Sequence, residues 1–282
     1  MRTDAIPLEP MPLTADEARA MLQRQIKKHH VAIIALHWFN GYVWFFELLT
    51  GLALISSPLF RVAPQWYIMI VEGIFGSRAN MLTAHIAVGL VWIVVLLVYG
   101  TFGFHTYLRG EILRKEVFTL ERDDIRWLII RVRTLLRLTD EQLPPQGHYN
   151  AGQKVFALLV YAMVPVIMVT GLVMAFRLFG AEAVGWAVVI HFGAVGGVVA
   201  GLFVHLYMGS VFPEEKPAFF SMITGNVNEL HVYRHHFKWW REVKLAEREW
   251  EKTREIGPSE NAPAPAKTAD NGTPLESKES SS

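Results

Sequence analysis

The chain has 282 residues, 52% of them hydrophobic, with a mean hydropathy of +0.25 and a formal net charge of +1. That near-neutral balance carries no global signature of a nucleic-acid partner. Cysteine is absent, which excludes disulfides, thiolate-held iron–sulfur clusters and haem attached through C-x-x-C-H; any redox group is held by His or Met, and any cluster belongs to a partner.

In chain order, MRTDAIPLEPMPLTADEARA lacks an apolar core after a basic start, so it does not read as a secretory signal, and insertion is expected to use internal segments. Four stretches reach the ~20 apolar residues that cross a bilayer: 31–56, 82–104, 153–176 with Pro165 inside it, and 184–212. A proline is tolerated in such a span because neighbours satisfy the freed carbonyl. Between the first two spans lies a short connector with Pro58, Pro64 and an amphipathic piece, QWYIMIVEGIF, expected to be interfacial or to contact a partner. Between the second and third runs a basic loop, 105–152, with Arg109, Arg114, Lys115, Arg122, Arg126, Arg131, Arg133 and Arg137. Its IRWLIIRVRTLLRL stretch predicts a surface helix whose arginines meet lipid headgroups. The last residues, 257–282, are poor in hydrophobics and are expected to be disordered.

Basic residues cluster before the first span (Arg24, Lys27, Lys28), in the long loop and after the fourth span (Lys216, Arg234, Lys238, Arg241, Lys244), whereas the short connectors hold only Arg61, Arg78 and Arg177. Both termini and the long loop are therefore expected on the cytoplasmic side.

Four of eleven histidines fall inside spans: His37, His85, His191 and His205. Ionisable groups there are costly and mark function, although a single one is equally explained by a hydrogen bond to a neighbouring helix. Their depths pair. His85 and His191 lie early in spans that run inward, hence near the outer face; His37 and His205 lie near the cytoplasmic face. The fourteen residues from His191 to His205 rise roughly 21 Å and turn roughly 1,400°, so both point to nearly one side. Two imidazoles per centre are too few for structural zinc. Haem brings four ring nitrogens and needs one or two axial ligands. The fold class expected is thus an all-α membrane protein, a four-helix bundle holding two bis-His b-type haems over residues 31–212, flanked by cytoplasmic segments 1–30 and 213–256. Gly193, Gly197 and Gly201 form a small-xxx-small ladder read as close helix packing, Gly201 being near enough to His205 to bear on its site as well. His29, His30, His105, His231, His235 and His236, in loops or at helix ends, are expected to be solvated or to face headgroups.

With the histidines placed, residues 30–245 resemble the cytochrome b (gamma) subunit of membrane-bound respiratory formate dehydrogenases. The resemblance rests on AHIAVG around His85, ERDDIRW at 121–127, GHYNAGQK at 147–154, the His191–His205 spacing and HHFKWWREV at 235–243. It implies a diheme anchor in a bacterial inner membrane. Such an anchor takes electrons from a periplasmic iron–sulfur (beta) subunit, itself fed by a molybdenum or tungsten catalytic (alpha) subunit. It reduces menaquinone or ubiquinone near the cytoplasmic side and does not itself oxidise formate. It further implies that His85 and His191 hold the outer haem, that His37 and His205 hold the inner one, and that Asn150, Gly152 and Gln153 border the quinone pocket. The plainer explanation of GHYNAGQK is a helix start, with Asn150 as N-cap and Lys154 at the interface; the two are compatible. His148 stands where the family pattern has arginine, and an imidazole, unlike a guanidinium, can relay protons.

The same conduit could serve another periplasmic enzyme, such as a hydrogenase or a sulfur-compound oxidoreductase. A proton transporter, or a passive anchor with vestigial histidines, predicts no haem. Glu47 is the one acidic residue well inside a span, which disfavours transport.

Overall fold

Four helices are long and apolar enough to cross a membrane. In the computed structural model, residues 6–56, 62–103 and 119–256 are described. His105, Arg61, Pro58, Arg109, Arg114 and Lys115, and the tail 257–282, lie outside them. In order, the elements are α1 (Ala15–Gln23), β1 (Gln25–Lys27), α2 (Val31–Ile55), α3 (Gln65–Phe75), α4 (Arg78–Gly103), α5 (Arg122–Leu135), α6 (Ala151–Ala175), α7 (Gly180–Leu206), α8 (Lys216–Thr224), β2 (Asn226–Asn228), α9 (Glu229–His235) and α10 (Phe237–Ile256). A π-helical turn, Tyr207–Val211, continues α7. The spans are α2, α4, α6 and α7. The second and fourth begin four residues earlier than the hydropathy suggested, because Arg78 and the polar residues around Glu182 still propagate a helix; Pro165 sits inside a continuous α6.

The chain divides into two compact units. One comprises Ala32–Arg109 and Phe156–Leu206; the other is formed by the described parts of Met1–Val31, Gly110–Val155 and Tyr207–Ser282. In the first, the spans share a core of Val43, Trp92, Ile167, Ala194 and Val198, while Val91, Val94 and Val98 of α4 and Phe203 and Val204 of α7 point outward. An apolar exterior is the condition for lipid contact. Asn40 is satisfied inside this core: its amide donates to the Leu36 carbonyl and its oxygen accepts from the Trp92 indole at 2.8 Å. Arg78 closes the end of α2, its guanidinium donating to the carbonyls of Ala53, Leu54 and Ser56, groups that a helix terminus leaves without partners.

The second unit joins chain ends. β1 pairs antiparallel with β2, Ile26 opposite Val227. Val227, Val232, Tyr233, Phe237, Trp239 and Trp240 form its core, covered by Ile6, Leu13, Met21 and Ile26 from the N-terminal segment. The Tyr233 hydroxyl both donates to the Met11 carbonyl and accepts from the Met11 amide, each at 2.8 Å. Glu229, 1% exposed, accepts from the Trp240 indole at 2.8 Å and meets Lys244 at 3.0 Å. Gly225 takes φ +80 at the end of α8, a conformation costly for residues with a Cβ; its carbonyl accepts from the amides of Lys28 and His29.

Candidate functional site

His85 on α4 and His191 on α7 have matching supports. The Thr50 hydroxyl lies 2.8 Å from His85 Nδ1 and the Thr170 hydroxyl 2.9 Å from His191 Nδ1. Each threonine spends its own proton on a carbonyl one turn back, Phe46 at 2.9 Å and Val166 at 2.6 Å, so its oxygen accepts from the imidazole. This network assigns the proton to Nδ1 and leaves Nε2 able to accept, the form in which an imidazole can ligate a metal. The glycine after each threonine, Gly51 or Gly171, lies beside the ring: an added Cβ would touch His85 Cε1 or His191 Cε1 at 3.5 Å, an ordinary van der Waals contact. His191 also lies within electrostatic range of His85. Only His85 has a carboxylate, Glu47 Oε2 at 2.6 Å from Nδ1.

His37 and His205 come together with ring centroids 6.3 Å apart. An imidazole nitrogen sits about 2 Å from a metal it binds, so two rings sharing one ion have centroids about 6 Å apart. Phe156 stacks on His205 at 5.0 Å, and a Cβ on Gly201 would come within 2.8 Å of Phe156. Gly201 therefore serves the His205 site through Phe156. At Gly193 and Gly197 an added Cβ would meet nothing within 4 Å, so the close packing expected of that ladder does not occur there. His37 Nδ1 is buried without a hydrogen-bond partner among the described residues. No group of three or more His, Cys, Asp or Glu among them is placed to hold a metal ion. Two facing imidazoles fit a haem, whose macrocycle brings the other four ligands.

Asn150, Gly152 and Gln153 lie together at the start of α6. The Asn150 side-chain oxygen accepts from the Gln153 amide at 2.9 Å, and the Gln153 oxygen accepts from the Asn150 amide at 3.0 Å. This reciprocal cap is the helix start read from the sequence. It consumes both side-chain oxygens and leaves two NH2 groups as donors. A Cβ on Gly152 would crowd Asn150 Oδ1 at 3.3 Å and the Trp127 ring at 3.6 Å. Lys154 is not interfacial: 6% exposed, it meets the equally buried Asp124 of α5 at 3.0 Å. Burial of Trp127 and Ile130 fixes one face of α5, while Ile125, Ile129 and Val132 remain exposed.

The histidines outside the spans differ most from expectation. His29 is 8% exposed, His231 4% and His236 0%. They are packed rather than solvated because α9, α10 and the N-terminal segment close around them. His148 lies 6.4 Å from His29 and 4.4 Å from Trp239. Burial first, then the nearby Lys28, holds the His148 and His236 imidazoles well below the usual histidine range.

Sequence reasoning missed Thr50 and Thr170, and read Lys28 only as a flanking basic residue and Glu47 only as an isolated acid. A signal for the threonines was present: Thr-Gly-Leu occurs once in each supporting span, at 50–52 and 170–172.

Membrane-length apolar helices that pair histidines across the bundle, in a chain without cysteine, define a b-type membrane cytochrome. The chain belongs to the prokaryotic cytochrome b561 family, whose model matches residues 28–225, and membership implies haem b. It is 26% identical over 217 residues to the cytochrome b556(Fdn) subunit of the nitrate-inducible formate dehydrogenase of Escherichia coli K12, covering 76% of this chain and 89% of that protein. It is 23% identical over 213 residues to the cytochrome b556(fdo) subunit of formate dehydrogenase from the same strain, covering 74% and 88%. To the formate dehydrogenase cytochrome b556 subunit of Haemophilus influenzae it is 30% identical over 136 residues, covering 46% and 54%.

Proposed function

We propose that the chain is the cytochrome b subunit of a membrane-bound formate dehydrogenase complex in a bacterial inner membrane, with both termini cytoplasmic. It carries electrons from a periplasmic iron–sulfur subunit, fed by a molybdenum or tungsten catalytic subunit, to menaquinone or ubiquinone near the cytoplasmic side. His85 and His191 hold one haem b and His37 and His205 the second; when bound, haem supplies a one-electron carrier at each pair. The observation that carries this reading is the pairing itself: the facing rings of His37 and His205, and the matched threonine supports of His85 and His191.

The residues divide the work. Thr50 and Thr170 fix the tautomer and orientation of their histidines. Phe156 holds the plane of His205. Asn150 and Gln153 border the quinone pocket and present their NH2 groups to a quinone carbonyl, while Gly152 keeps Trp127 against the same turn. His148 stands two residues before Asn150 and, as an imidazole, can pass protons. Moving an electron inward against the membrane potential is coupled work, about 2.3 kcal/mol per charge per 100 mV.

The test is a dithionite-reduced minus air-oxidised spectrum of the purified chain with pyridine haemochrome quantitation. Two b haems per chain support the reading. A haem-free chain from a haem-competent host overturns it.

A further inference from the structure

The buried histidines of the second unit form a line that electron transfer does not use. His235, whose side chain is 25% exposed, lies 3.8 Å from Glu215 and stacks on His231 at 4.6 Å. His231 lies 5.8 Å from His236. His236 and His148 flank the Trp239 ring at 6.2 and 4.4 Å, and Lys28 Nζ lies 5.8 Å from the same ring. The line therefore runs from a partly exposed imidazole to the residue two positions before Asn150.

Three of its nitrogens have no hydrogen-bond partner among the described residues. His236 Nδ1 donates to the Gly147 carbonyl at 2.8 Å, which leaves Nε2 as a proton acceptor. That Nε2, His231 Nε2 and Lys28 Nζ are buried with no hydrogen-bond partner among the described residues. Buried polar atoms find partners in folded proteins, and where side chains supply none, water does. An ammonium and acceptor imidazoles bridged by water make a chain along which a proton can hop.

We propose that His235, His231, His236, Lys28 and His148 form a proton-conducting array that supplies quinone reduction. The proposal rests on the quinone reading above. Each quinone takes two electrons from the haem chain and two protons from the array to give the quinol. After each delivery the Lys28 ammonium passes its proton on, and cytoplasmic water restores it through His235. Burial lowers Lys28 to about 8, against the opposing pull of Glu215, so it exchanges protons near neutral pH. Around this line, Glu214, Glu215, Arg131 and Arg234 face His235, and His29 faces His148.

The experiment uses the intact complex. Its haem is reduced, a water-soluble quinone is added, and haem reoxidation is followed by stopped flow from about pH 6 to 9. The wild-type rate is expected to fall above about pH 8 as Lys28 loses its proton. Lys28→Met and His231→Gln are expected to slow reoxidation at least about tenfold with haem content unchanged, and Lys28→Met to abolish that pH inflection. Wild-type rates and pH profile in both variants overturn the array while leaving the quinone reading intact. If those variants fail to assemble, His235→Gln at the exposed end decides: slowing relieved by imidazole in the buffer supports the array, and an unchanged rate overturns it. A wild-type complex whose haem is not reoxidised by quinone overturns the quinone reading and the array with it.

Discussion

The first unit supports His85 and His191 differently from the way the second unit supports His231 and His236. Among the spans, His85 and His191 each give Nδ1 to a threonine that is itself anchored to a carbonyl. In the second unit, His236 gives Nδ1 to the Gly147 carbonyl, His231 and His236 pack beside other imidazoles, and each keeps a buried Nε2 without a hydrogen-bond partner among the described residues. A hydrogen bond at one ring nitrogen settles which tautomer leaves the other nitrogen able to accept. The contrast lies in the support: a side-chain hydroxyl for His85 and His191, and backbone and neighbouring rings for His231 and His236.

The largest break in the comparison comes from removing a ligand. His205→Ala or His85→Ala is expected to lower haem from two per chain to about one by pyridine haemochrome assay, because bis-His ligation loses one of its two protein ligands. Full retention of both haems in either variant would refute the pairing. Next is the buried ion pair at the start of α6: Lys154→Ala strands Asp124 and is expected to cost about 3–5 kcal/mol in thermal stability, with the Lys154→Met/Asp124→Leu double variant recovering much of that loss. Gly201→Ala drives a methyl into Phe156 and is expected to cost about 1–3 kcal/mol, with a perturbed spectrum for one haem only; two unchanged spectra would remove Phe156 from the His205 site.

The second unit is expected to respond to acid. His231 is lowered from an ordinary 6.5 to about 3. Between those values the unfolded chain binds more protons, so stability is full above pH 6.5 and lost as pH falls below it, by about 1.4 kcal/mol per pH unit for each such histidine. His148 and His236 act with the same sign. Fluorescence of Trp239 and Trp240 should report this loss, and His231→Gln should make it shallower. The smallest effect is Gly193→Ala, where nothing is met: a change within about 0.5 kcal/mol is expected.

How much was legible in the sequence follows the same division. Spans declare themselves by length and hydropathy, and a polar residue inside one stands out against its surroundings, so His37, His85, His191 and His205 could be ranked by depth alone. The Asn150–Gln153 cap is local and was readable from spacing. The second unit is non-local: His29 and His236 are buried because strands far apart in the chain, β1 and β2, pair, and polar composition gives no warning of that. Lys154 was misplaced for the same reason, its partner Asp124 lying across the long loop. Thr50 and Thr170 were overlooked because a lone hydroxyl in a span is common; only their shared Thr-Gly-Leu setting distinguishes them.

That shared setting relates the helix pairs α2/α4 and α6/α7, each bringing one threonine, one glycine and one histidine together. Glu47 breaks it. The residue at the same interval before the second threonine is Ile167, an apolar side chain in the bundle core. The two histidines are therefore inequivalent: His85 Nδ1 has both a carboxylate and a hydroxyl beside it, whereas His191 Nδ1 has the Thr170 hydroxyl and no matching carboxylate. A repeated arrangement thereby becomes unequal through one side chain.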